Sequence, residues 1–333
     1  MSGGADSIAL VVFEASTAMA AIMLVVLGWY IFKRHRLEST AKERQASEMD
    51  LSRTLLQKLA GSVIADPKRF AEAPAEARLR SVSQLLRLLR GGDRERLLQI
   101  AESDGLFDAT LSMLESGELA RRVDAMHVLE QFASPACIDA LLARMAGDAS
   151  PAARLEAACA LARLGHLPSP SAVVDMLDLM HCTQTRLHRA LFRSLAARDA
   201  DQLTAMVRNL DYARLRAMLV EALGWSEDYS ALVTLEESAA DLDPEVRSSA
   251  LRAARKLGHP RMEPWVVLLL DDESDSVRIQ AVQTCGELGL RSAMPRLERL
   301  ATDPSWWVRL RASQALEILR PRGAAIALAS RSA

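Results

Sequence analysis

The segments 241–247 (DLDPEVR), 272–278 (DESDSVR) and 303–309 (DPSWWVR) decide the fold. In each, an Asp precedes the Arg of a Val-Arg pair by six positions: Asp241 and Arg247, Asp272 and Arg278, Asp303 and Arg309. Ala250, Ala281 and Ala312 follow the pairs at one offset, and Leu257, Leu288 and Leu319 close the units at another. Asp148 and Arg154 keep the Asp–Arg spacing upstream, without the Val. A period of this length predicts stacked helical hairpins, none able to bury its apolar face without its neighbours. Within 246–257, Val246, Ala250, Ala253 and Leu257 recur at i, i+4, i+7 and i+11, an apolar stripe whose small residues let the next helix pack close. The fold class is all-α.

Helix pairs are expected at about 104–132, 135–164, 169–197, 199–225, 229–257, 261–288 and 292–320. Ser150-Pro151, Asp243-Pro244 and Asp303-Pro304 supply an N-cap acceptor followed by a Pro whose missing N–H costs nothing in a first turn. Upstream, Leu79, Val82, Leu85, Leu86 and Leu89 predict a helix over 75–90, ended by Gly91-Gly92.

The chain is half apolar and only 4% aromatic, with a formal net charge of -2 over 333 residues. That balance argues against a basic nucleic-acid groove. A single long, mostly apolar stretch runs from about Ile8 to Phe32, long enough at helical rise to cross a hydrocarbon core of about 30 Å. Lys33, Arg34 and Arg36 follow it and no basic residue precedes it, which disfavours a signal peptide and puts the N-terminus outside and residues 33–333 in the cytoplasm. Trp29 and Tyr30 stand where an interfacial aromatic belt would be. The expected organisation is an outer segment 1–7, a membrane helix 8–32, juxtamembrane helices and a cap over 33–103, repeats over 104–320 and a tail 321–333. The membrane helix is open to continuing unbroken into the cytoplasm, since 33–60 contains neither Pro nor Gly.

The repeat is similar to HEAT repeats, including the bacterial kind described as phycobilisome-lyase-like. That family places a Pro in the first helix, an Asp at the turn and a Val-Arg pair early in the second helix. Pro264, Asp272, Val277 and Arg278 fit it, as do Pro295, Asp303, Val308 and Arg309. Asp241 with Arg247 and Asp148 with Arg154 fit without the Pro, while 169–225 departs, with His188 and Arg216 near the Arg position. The resemblance covers about 104–320. It implies a right-handed superhelical solenoid with second helices on the concave side, and a structural ladder between repeats formed by Asp148, Arg154, Asp241, Arg247, Asp272, Arg278, Asp303 and Arg309.

Binding candidates lie where the period falters. Arg186, Arg189 and Arg193 share a helical face, with Arg214 expected at the place of Arg186 in the next unit; none has an Asp partner evident in sequence. Such a patch suits acidic protein, phosphate or anionic lipid, and a solvated charged face is the plainer reading. Trp306 and Trp307 take positions that are polar or Pro in the preceding units, and either anchor a partner or are covered by the tail. Glu14, with Ala18, Ala21 and Gly28 on one stripe, is a candidate contact with another membrane helix; the alternative is a Glu14 that snorkels or stays protonated near the outer interface.

Cys137, Cys159, Cys182 and Cys285 show no paired spacing, so neither disulfides nor, with His181 beside Cys182, a zinc site is expected. No phosphate-binding loop, dinucleotide turn or hydrolase motif occurs. Catalytic residues, cofactors and metals are not expected. The leading expectation is an inner-membrane scaffold whose cytoplasmic repeats dock a protein partner, itself an integral membrane protein, as an accessory subunit does beside a polysaccharide-synthesising glycosyltransferase. The alternatives are a bilin-lyase-like or base-excision enzyme, and a sensor of anionic lipid or phosphorylated ligand through the Arg186 cluster.

Overall fold

The computed structural model describes residues 23, 26–30, 33–34, 49–61, 70, 72–226 and 229–320, which contain helices and turns and no strand. The chain divides into two compact units, Met1–Met113 and Leu114–Ala333.

In the first unit a helical stretch 49–59 is followed by α1 (Ala75–Leu88), α2 (Gly92–Ser103) and α3 (Leu106–Met113). Leu55, Leu79, Val82, Leu97 and Leu106 form its buried core. Gly91 takes φ 59° and Gly92 already opens α2, so the pair turns the chain from one helix into the next and does not simply end the first. Lys58 Nζ reaches Asp104 at 2.7 Å and lies 4.7 Å from the centroid of the Phe70 ring, fixing the C-terminal end of 49–59 against the end of α2.

The second unit opens with α4 (Leu119–Phe132), then pairs α5 (Pro135–Gly147) with α6 (Pro151–Leu164), and α7 (Pro170–Met176) with the first part of α8 (Arg186–Asn209). The remainder of α8 pairs with α9 (Ala213–Ala222), α10 (Leu232–Ala239) with α11 (Pro244–Leu257), α12 (Glu263–Leu268) with α13 (Asp275–Leu288), and α14 (Met294–Leu300) with α15 (Trp306–Leu319). The pair expected at 104–132 is divided, α3 belonging to the first unit and α4 to the second. The pairs expected to break between 197 and 199 share one hydrogen-bonded helix, kinked at Asp199 (φ -122°, ψ 37°).

The second helices α4, α6, α8, α9, α11, α13 and α15 pack in succession. Their small residues explain the closeness. Val246, Ala250 and Ala253 are fully buried, and a Cβ at Gly224 would stand 2.8 Å from Ala253 Cα, so no side chain fits there. Ser134 and Asp243 cap α5 and α11, each followed by Pro at the first helical position. Pro304 does not open α15, whose cap is Ser305 and whose first residue is Trp306. The helix C-caps Gly258 and Gly289 are left-handed, and Ala133 takes the same conformation at φ 54° without being Gly.

Among the described residues no helix is long and apolar enough to cross a membrane. The span expected at 8–32 falls largely outside them, with Glu14, Ala18 and Ala21, and so does most of the stretch that would carry the helix into the cytoplasm. Gly28 is helical, with open space where a side chain would stand.

Candidate functional site

Every second helix carries an Arg at its fourth residue: Arg122, Arg154, Arg189, Arg216, Arg247, Arg278 and Arg309. Arg247 shows how the position works. Its Nε and Nη2 donate to the Asp272 carboxylate, both at 2.8 Å, while Nη1 donates to the carbonyls of Asp241 and Leu242 at 2.9 and 3.1 Å. Arg278 repeats this on Asp303 (2.9 and 3.0 Å) and the Asp272 carbonyl, and Arg216 on Asp241 (2.8 and 3.0 Å) and the Leu210 carbonyl. Arg122 does so on Asp148 (2.9 and 3.1 Å) and the Ser116 carbonyl. Each Asp also accepts an N–H two residues on, from Ser150, Asp243, Ser274 or Ser305. This is a two-pronged, charge-assisted bond between consecutive units.

The pairing differs from a reading in which each Arg owns the Asp six residues earlier. That Asp lends the Arg of its own unit a backbone carbonyl, and its carboxylate belongs to the Arg of the preceding unit. Arg154 therefore does not hold Asp148, which Arg122 holds; Arg154 reaches the Met176 carbonyl at 3.2 Å, and its buried Nε has no hydrogen-bond partner. Arg309, in the last helix among the described residues, bonds the carbonyls of Asp303 and Pro304.

Burial alone raises the Asp148 carboxyl. The Ser150 N–H and the Arg122 guanidinium outweigh it and hold the group below the ordinary carboxylate range. At Asp303 burial is likewise outweighed, by Arg278 and the Ser305 N–H. The hydrogen bonds to Asp272 raise Arg247 further above its already high value.

The ladder is interrupted in the middle. Where the following turns should offer an Asp to Arg154 and Arg189, six residues before the next ladder Arg, the chain has Thr183 and Leu210. It is Arg189, not His188, that occupies the ladder position of α8. His188 takes the place of the buried Val, is itself buried, and accepts the Thr185 N–H on Nδ1 at 3.0 Å. Desolvation pushes its imidazole below the ordinary value. Arg214 is the second residue of α9, so its counterpart in α8 is Leu187 and not Arg186.

Beside this interruption lies a cleft of about 240 Å³, lined from α8, α9 and α11 by Arg189, Tyr212, Arg214, Glu221, Glu245 and Arg252, among others. Glu221 is buried and gathers the guanidinium groups of Arg193 (2.5 Å), Arg252 (3.3 Å) and Arg189 (3.6 Å). Arg193 also lies 4.3 Å from the centroid of the Trp225 ring. Arg252 donates to Glu245 at 2.7 Å. Arg186 and Arg214 are exposed, with no ion pair among the described residues. The sequence patch is thus divided: Arg193 is committed to Glu221 and Trp225, Arg189 is half-committed, and Arg186 and Arg214 face solvent. Glu221 escapes a reading by spacing because Arg193 and Arg252 reach it from neighbouring helices.

Trp306 and Trp307 are 55% and 57% exposed and meet edge to face, ring centroids 4.5 Å apart. The proposed cover for them, 321–333, lies outside the described residues. Cys137, Cys159 and Cys285 are buried and free, and burial pushes the Cys285 thiol up to about 12. Cys182 is partly exposed and lines the cleft. Among the described residues no group of His, Cys, Asp and Glu could hold a metal.

Residues 262–333 match the sequence family described as HEAT repeats. The similarity to HEAT repeats thus covers the C-terminal part of the chain. The solved structures similar to this chain include three that align over most of it at low TM-scores. An engineered protein is 16% identical, covering 81% of this chain and 78% of its own, with a TM-score of 0.34. Human deoxyhypusine hydroxylase bound to glycerol is 16% identical over 84% of this chain and 98% of its own, at 0.33. A designed armadillo repeat protein is 21% identical over 81% and 100%, at 0.27. No curated protein matches the sequence.

Proposed function

We propose that this protein is a membrane-tethered repeat scaffold that docks a protein partner on the face of its second helices. One observation carries the reading: in an array where Arg122, Arg216, Arg247 and Arg278 are tied unit to unit, the interruption at Thr183 and Leu210 leaves Arg154 and Arg189 without an Asp, and Arg189 lines a cleft beside Arg214. An exposed Trp pair on the last repeat supplies a second contact, since large aromatics with a polar handle are favoured anchors in interfaces. The reading assigns binding rather than catalysis.

Tethering rests on the apolar stretch 8–32 and its basic flank. Of the residues described there, Met23, Val26, Leu27, Trp29 and Tyr30 are helical and each more than half exposed, a surface that water does not favour and a bilayer would cover. The reading places the repeats on the cytoplasmic side of a bacterial inner membrane. A tether raises the effective concentration of any membrane partner. An anchor followed by repeats is the layout of an accessory subunit, for which a complex built on a polysaccharide-synthesising glycosyltransferase is the proposed setting.

The test is affinity purification of the full chain from membranes in mild detergent, as wild type, Glu14→Ala and Trp306→Ala/Trp307→Ala. A membrane protein that co-purifies with wild type and is lost from the Trp variant supports docking through the repeats. A chain found in the soluble fraction, or one that retains nothing, refutes it.

A further inference from the structure

The interruption of the ladder leaves Arg154 and Arg189 without a turn Asp, and the cleft opens beside Arg189. We infer that the cleft receives an acidic side chain from an extended segment of the partner, which gives Arg189 the carboxylate that Leu210 does not. This deepens the scaffold reading and rests on it.

Four features define the ligand. First, charge: Arg189, Arg214 and Arg252 line the site against Glu221 and Glu245, leaving an excess of positive charge. Second, geometry: a guanidinium presents parallel N–H donors that match a planar carboxylate, and Arg122, Arg216, Arg247 and Arg278 all use that fork at the same helical position. Arg189 makes only a 3.6 Å contact with Glu221 and its side chain is 47% exposed, so its fork is open. Third, α9 begins just after Tyr212, whose side chain does not cap it. The positive end of that helix adds to the field at Arg214. Fourth, size: about 240 Å³ is below the range of roughly 300–1,000 Å³ usual for small-molecule pockets, and suits a single side chain.

The two glutamates decide between anions. A singly charged carboxylate matches the one positive charge in excess along this lining, while a phosphate dianion adds a second negative charge beside Glu221 and Glu245, which like-charge repulsion disfavours. An acidic peptide is therefore preferred over a phosphopeptide or a lipid headgroup.

The experiment uses the full chain in an uncharged detergent and fluorescein-labelled octaglutamate, read by fluorescence anisotropy. Leu210→Asp installs the absent ladder carboxylate within the chain and satisfies Arg189 internally. It is expected to weaken octaglutamate binding about tenfold or more and to raise the thermal midpoint. Arg189→Gln, an exposed change, is expected to weaken binding similarly, and Arg121→Gln, on the exposed surface of α4, to leave it unchanged. Equal binding by wild type and Leu210→Asp overturns the inference. So does preference for a phosphoserine octapeptide or for phosphatidylserine vesicles over octaglutamate. Absence of octaglutamate binding by a chain that still co-purifies a membrane partner overturns the cleft and leaves the scaffold standing. A chain that co-purifies nothing removes the scaffold itself.

Discussion

Replacing Asp272 with Ala tests whether the ladder holds the units together. Asp272 takes two bonds of 2.8 Å from Arg247 and one of 2.8 Å from the Ser274 N–H. The Arg247 and Asp272 side chains are 9% and 7% exposed. An exposed pair is worth about 0–1 kcal/mol, whereas removing one partner of a buried pair costs about 3–5 kcal/mol, because the other charge stays buried and unpaired. Arg247 would keep the carbonyls of Asp241 and Leu242 and a 3.4 Å contact with Glu273, which places the loss at the low end, about 3 kcal/mol. The assay is urea unfolding of the full chain in uncharged detergent, followed by tryptophan fluorescence and circular dichroism. Urea is chosen because guanidinium would screen the pair. Since stability in a repeat array is nearly a sum of unit and neighbour terms, weakening the α11–α13 junction should also broaden or split the transition. Arg309→Ala, which removes only carbonyl contacts, serves as the comparison and should cost about 1 kcal/mol. A loss under about 1 kcal/mol for Asp272→Ala, equal to that of Arg309→Ala, would refute a structural ladder.

Other expectations follow from the same geometry. His188, held neutral by burial, has a folded value below its unfolded one; stability is therefore level above about pH 6.5 and falls as the pH drops below it, until the folded value is passed. His188→Gln keeps the cap acceptor and should abolish that slope in pH-dependent melts. Asp148 and Asp303, lowered by their partners, stabilise fully above the ordinary carboxylate value and lose that contribution as pH falls toward their folded values, adding a second, more acidic loss in the same melts. Gly224→Ala, which would press a Cβ to 2.8 Å from Ala253 Cα, should destabilise by about 1–3 kcal/mol in urea unfolding. Ala133→Gly should stabilise by about 1 kcal/mol, because Ala pays for its left-handed φ of 54°. In native maleimide labelling Cys182 should react first and be protected by octaglutamate, while Cys285, at about 12, stays inert.

The helical repeat was legible because Val246, Val277 and Val308 sit at one spacing and are all buried by the same packing. The ladder was legible only in part. A spacing of six relates each Arg to the backbone of its own turn, whereas the carboxylate arrives from the next unit, as Asp272 does for Arg247. Spacing groups Arg189 with Arg186 and Arg193 but does not show that it holds the ladder position, because His188 stands where units further along have Val246, Val277 and Val308. Glu221 gave no signal either, since a Glu in the third turn of a helix is ordinarily solvated. Its role depends on Arg193 and Arg252 converging from two other helices.

The central claim is that binding occurs where the ladder is interrupted. Placing a photo-crosslinking benzoylphenylalanine in the full chain in cells at Tyr212, in the cleft, and separately at Glu236, exposed on the first helix α10, tests it most directly. The account predicts a discrete adduct from position 212 that disappears when Leu210→Asp is added, and none from 236. An adduct from 236 with none from 212, or one from 212 unaffected by Leu210→Asp, would contradict it.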